Sequence, residues 1–104
     1  MDAIIEKDLK TMREHAGDAA AMMAALSHEA RLRVLCDLVA GERTAGELVE
    51  RSGLSQSALS QHLARLRSEG LVMTRREGVS ILYRIASPDV ARILGVLHEI
   101  YCKR

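Results

Sequence analysis

Leu59, Leu63 and Leu66 recur at helical spacing in LSQSALSQHLARLRSEG, between a serine fit to cap a helix, Ser55, and a glycine fit to stop one, Gly70. An apolar stripe of this kind fixes an amphipathic helix whose other side must stay in water or meet a partner. Upstream, Thr44 and Glu47 have the spacing of a capping box, Leu48 and Val49 follow, and Gly53 closes a helix of about two turns. A short helix, a brief glycine-containing turn and a second, serine-opened helix therefore stand at the middle of the chain.

The flanks supply the rest of the fold. Residues 2–15 carry Ile5, Leu9 and Met12 at helical spacing and predict a first helix that Gly17 interrupts. Asp18 can cap an alanine- and methionine-rich stretch running to Leu26; Ser27 restarts a helix through Ala40, with Leu32, Leu35 and Val39 on its apolar face and Gly41 as terminator. LVMTRR and SILYRI read as two short strands joined through Gly78. Ser87 and Pro88 open a last helix with a wide apolar face, Val90, Ile93, Leu94, Leu97, Ile100 and Tyr101. The prediction is one domain over residues 1–104, mainly α with a small β-hairpin, in the order α-α-α-α-β-β-α. With no Phe or Trp and two Tyr, its core must be built from Leu, Ile, Val, Met and Ala, a palette that favours helices.

The net charge is only +1, so affinity for a polyanion has to come from local clustering. Such a cluster exists. Between Leu54 and Ala86, Arg65, Arg67, Arg75, Arg76 and Arg84 are opposed only by Glu69 and Glu77. With the leucines inward, the second central helix turns Ser57, Ser60, Gln61, Ala64, Arg65 and Ser68 outward. Small hydroxyls, an amide and an alanine allow close approach to base edges, where Gln pairs bidentately with adenine and Ser donates or accepts. This is the layout of a helix-turn-helix whose second helix enters the major groove. Gln56, Ser57, Ser60, Gln61 and Arg65 are its candidate DNA contacts, and Arg75 and Arg76 on the hairpin suit phosphates in a flanking groove.

The segment LSQSALSQHLARLRSEGLVMTRREGVSILYRI resembles the helix-turn-helix and wing of the ArsR/SmtB family of winged-helix repressors, and ALSHEARLRVLCDLVAGERTAGELVERSG is similar to the preceding helices of that family. The resemblance spans residues 20–104. It implies a homodimer formed through the first and last helices, binding to an inverted-repeat operator in double-stranded DNA, and an inducer that releases it.

Sensing sites differ within that family. TAGELVERSG lacks the cysteines of the arsenic and cadmium site, and Ala91 stands where the zinc site of the last helix would place its first histidine, although Asp89 and His98 are present. Cys36 in LRVLCDL and Cys102 in HEIYCKR instead resemble the dithiol branch, the biofilm-growth, sulfide-responsive and haemolysin regulators, in which such a pair senses persulfides or oxidants. Periodicity alone places Cys36 about 40° from Leu32, on the core-facing arc, and Cys102 about 120° from Val90, off the apolar centre. Cys102 follows His98 by one turn and precedes Lys103.

The leading expectation is thus a dimeric repressor released by persulfide or oxidative modification of Cys36 and Cys102, with no cofactor. One alternative keeps the DNA binding and makes a metal ion, held by His98, Asp89 or Glu99, the effector. A remoter one is a small thiol enzyme, for which neither a CxxC nor a helix-start cysteine is present. MDAIIEKDLK lacks the basic-then-apolar layout of a secretory signal and no long apolar run follows, so the expected compartment is the cytoplasm, without membrane association.

Overall fold

The computed structural model describes residues 6–102. Six helices and three strands follow in the order α1 (Glu6–Glu14), α2 (Ala16–Leu26), α3 (Glu29–Val39), β1 (Arg43–Thr44), α4 (Ala45–Ser52), α5 (Gln56–Ser68), β2 (Val72–Glu77), β3 (Ser80–Ile85) and α6 (Pro88–Cys102). The expected helix start at residues 2–5, with Ile5, and the expected neighbour Lys103 lie outside the described residues.

Two elements depart from the sequence expectation. The alanine-rich stretch is a helix of its own, so five helices, not four, precede the hairpin. Gly17 lies inside its first turn and interrupts nothing. The break falls at His15, whose N–H still donates to Thr11 O at 3.2 Å and whose carbonyl accepts from Ala19 N at 3.0 Å. Asp18 lies in that first turn and does not cap it; its charge favours the positive end of the helix. The second departure is β1, two residues whose strand character comes entirely from pairing: Arg43 sits opposite Tyr83 and Thr44 opposite Leu82. The sheet order is β1-β3-β2, all antiparallel.

Elsewhere the capping chemistry forms as expected. Thr44 Oγ1 accepts from Glu47 N at 3.1 Å while Glu47 Oε1 accepts from Thr44 N at 2.9 Å, and this reciprocal pair holds the Glu47 carboxyl below its ordinary pKa. Gly53 ends α4 with φ +73°, a left-handed conformation glycine adopts without steric cost. Ser55 Oγ accepts from Ala58 N at 3.1 Å and opens α5. The start of α3 differs: His28, not Ser27, is its cap, with Nδ1 accepting from Ala30 N at 3.1 Å. Ser27 Oγ instead donates back to Ala24 O at the end of α2.

The core is aliphatic. Val34, Leu35, Leu48, Leu59, Leu66 and Val90 are at its centre, joined by Leu38, Leu63, Leu71, Val72 and Leu94. Leu59, Leu63 and Leu66, the stripe read from spacing, are all buried. One buried cation accompanies them: Arg31 donates Nε to Ala25 O at 2.7 Å, using its charge to satisfy a carbonyl at the end of α2. Helices α4 and α5 with the β2-β3 hairpin compose a winged helix-turn-helix.

Candidate nucleic-acid interface and thiol site

Helix α5 can present its polar face because its leucines anchor the opposite one. Gln56, Ser57, Ser60, Gln61 and Arg65 are all exposed along it. Its attitude to α4 is fixed by the turn at residues 53–55. Ser52 is buried, its Oγ accepts from Leu54 N at 3.1 Å, and its carbonyl accepts from Arg33 Nη2 of α3 at 3.0 Å. Arg33 and Ser52, which no motif singles out, thus brace the joint that aims α5. Arg65 donates to Glu69 Oε2 at 3.2 Å, one turn on.

The hairpin separates its two arginines. Successive strand residues point to opposite faces, so Arg76 shares a face with the buried Val72 while Arg75 projects from the other. Arg75 donates to Glu42 through Nε at 2.7 Å and Nη2 at 2.8 Å, and to Glu77 through Nη1 at 2.9 Å. These bonds hold the Glu42 carboxyl below, and the Arg75 guanidinium above, their ordinary pKa values. Arg76 is exposed and forms no hydrogen bond or ion pair with the described residues. Glu42 carried no signal in the sequence, because its partner is remote in the chain.

On the side of α5 turned toward α3, His62 meets His28, ring centroids 4.7 Å apart and tilted by 53°. Burial first, then His28 and Arg31, lower the His62 pKa.

The two cysteines are free thiols, both exposed. Exposure of Cys36 corrects the core-facing position inferred from periodicity: Val34, Leu35 and Leu38 carry the buried side of α3, and Cys36 faces the flank toward α6. Burial, then Asp37, then Cys102 push the Cys36 thiol up. Helices α3 and α6 border an open recess of about 370 Å3, lined by Cys36, Val39, Ala91, Leu94, Gly95 and His98.

The metal alternative gains no cluster within one chain. Asp89 and His98 are separated by roughly 13 Å of helical rise, Asp89 pairs with Arg92 at 3.1 Å, and no three His, Cys, Asp or Glu side chains converge among the described residues.

Apolar side chains remain uncovered on the outer helices: Leu9 and Met12 on α1, Met23 on α2, and Val96, Ile100 and Tyr101 on α6. No helix of the described residues is long and apolar enough to cross a membrane.

Comparison with known proteins agrees with this architecture. A model of the bacterial regulatory proteins of the arsR family matches residues 28–74. The transcriptional activator HlyU of Vibrio cholerae is 43% identical over 96 residues, which cover 92% of this chain and 89% of HlyU. A structure of reduced HlyU from that species superposes with a TM-score of 0.83 at 43% identity, covering 89% of this chain and 98% of its own. The transcriptional repressor BigR from Xylella fastidiosa superposes with a TM-score of 0.85 at 38% identity, covering 91% and 97%. Mb0332 from Mycobacterium bovis, a homodimeric winged helix-turn-helix DNA-binding domain and possible ArsR-family regulator, gives 0.72 at 31% identity, covering 96% and 89%. HlyU and BigR are transcriptional regulators, so the thiol-enzyme alternative falls. The chain belongs to the arsR family, as a DNA-binding transcriptional regulator of the winged-helix type.

Proposed function

We propose that this regulator is a homodimeric cytoplasmic repressor that binds an inverted-repeat operator and leaves it when Cys36 and Cys102 are modified by reactive sulfur species or an oxidant. In this reading the protein acts as one winged-helix domain. Gln56, Ser57, Ser60, Gln61 and Arg65 read or position α5 in the major groove, and Arg75 and Arg76 hold flanking phosphates.

The observation that carries the sensing half is the placement of two free, exposed thiols on α3 and α6, with Cys102 among the groups that push the Cys36 thiol up. A covalent bridge between these helices would tie an element packed against the helix-turn-helix to an outer helix with uncovered apolar residues. Strain between two arrangements of the dimer would then oppose DNA binding. A hundredfold loss of operator affinity requires about 2.7 kcal/mol of difference between them. That one relative is a repressor, another an activator with a structure in the reduced form, and a third a homodimer supports regulation by redox state in a dimer.

The test is fluorescence anisotropy on an operator selected from random duplexes, with protein reduced and after glutathione persulfide. Wild type should be released by persulfide, while Cys36→Ser and Cys102→Ser should bind when reduced and stay bound after treatment. Release of the double serine variant as readily as wild type would remove the dithiol reading. Loss of release on adding EDTA would favour a metal instead.

A further inference from the structure

Gly95 stands near the middle of α6, where glycine is a poor helix former and where a Cβ would meet no atom within 4 Å. Packing inside this chain therefore does not demand glycine at that position. What borders it is the open recess between α3 and α6, about 370 Å3 in volume, near the small end of the range for ligand pockets. Its walls at Val39, Ala91 and Leu94 are apolar, and its border carries the Cys36 thiol and the His98 imidazole. An apolar recess beside an exposed thiol suits a small reagent whose organic group packs against the wall while its sulfur is attacked.

We infer that this recess admits a small organic persulfide to Cys36, and that Gly95 sets the size of the donor it accepts. The inference rests on the sulfur-sensing reading above. The step is a sulfur transfer. The Cys36 sulfur attacks the outer sulfur of R–S–S–H, a bond forms between them as the S–S bond of the donor breaks, and the leaving thiolate takes the proton that Cys36 gives up. The products are a Cys36 persulfide and R–SH, with no outside oxidant. A side chain at position 95 would project into the space that R occupies, so obstruction should grow with the size of R. The reactivity of the sulfur itself would be unchanged.

The experiment uses full-length protein carrying Cys102→Ser, so that Cys36 is the single thiol, and follows its modification by intact mass. Glutathione persulfide is the bulky donor and methyl methanethiosulfonate the small probe. Gly95→Leu should slow the bulky donor roughly tenfold or more and the small probe less than roughly threefold, with Gly95→Ala between Leu and wild type. Ala91→Leu, one turn earlier on the same wall, should give the same ordering and serves if Gly95→Leu alters the fold by circular dichroism. Equal slowing of both reagents, or slowing of neither, overturns the inference. Size discrimination in a protein whose DNA complex ignores persulfide supports the access role of the recess while removing the sensing reading.

Discussion

Glu42 and Arg75 stand 33 positions apart and meet in a two-pronged ion pair, with Arg75 Nε 2.7 Å from Glu42 Oε2 and Nη2 2.8 Å from Oε1. The pair ties the segment before β1 to the wing, and it places a carboxylate where a phosphate would have to bind. Arg75 must therefore surrender Glu42 to hold DNA, whereas Arg76 surrenders nothing to the described residues.

That difference predicts unequal variants. Arg76→Ala should weaken binding to operator and random duplex alike and flatten the dependence of log affinity on log salt by about one unit. Arg75→Ala should do less of both. Glu42→Gln, which loosens the grip on Arg75, should strengthen binding to random DNA and steepen the salt slope. Titrations at several salt concentrations measure all three, and an unchanged slope in Glu42→Gln would take Arg75 off the DNA.

Base reading should separate from these phosphate effects. Gln61 lies mid-helix on the exposed face of α5, and Gln61→Ala should cost about 1–3 kcal/mol on the operator while leaving random DNA nearly unaffected. Equal losses on both would assign Gln61 to positioning.

What the sequence made legible was local. The Thr44–Glu47 capping box, the Ser55 cap, the Gly53 stop and the leucine stripe of α5 each depend on residues within a turn or two, and each formed as expected. What escaped was set by distance or by an unusual chemical use of a residue. β1 exists only because Tyr83 and Leu82 pair with it, and the Glu42–Arg75 bond joins segments no window contains together. His28 caps α3 with an imidazole nitrogen, a role usually taken by Ser, Thr, Asp or Asn. The flank of α3 that bears Cys36 looked like core by period, yet the buried arc is narrower than the apolar one. For the proposed DNA contacts the sequence supplied an exposed face of α5, but nothing in it separated Arg75 from Arg76.

The His28–His62 contact predicts a pH dependence of stability. Folding lowers the His62 pKa from its ordinary 6.5, through burial, His28 and Arg31 in that order, so the folded chain binds protons less readily than the unfolded one. The stability this group supports is whole above the ordinary value, declines as pH falls through it, and is lost below the lowered folded value. Urea midpoints should fall between about pH 7 and pH 5 in wild type, and the fall should shrink in His62→Gln. An identical decline in the variant would place the titrating group elsewhere.

The dimer should depend on the outer face of α6. Val96 and Ile100, one turn apart, leave 54% and 62% of their surface exposed, and Met12 of α1, which borders a groove with Val96, leaves 55%; Val90 and Leu94 of the same helix are buried. A charge at position 100 therefore meets no core residue of the single chain but would be desolvated in a subunit interface without a partner. Ile100→Glu should remain folded by circular dichroism and run as a monomer in light scattering. Two reading helices can span half-sites about 34 Å apart only when joined, so its operator affinity should fall by about a hundredfold or more, with binding to an isolated half-site little changed. A dimeric Ile100→Glu protein with full operator affinity would move the interface away from α6.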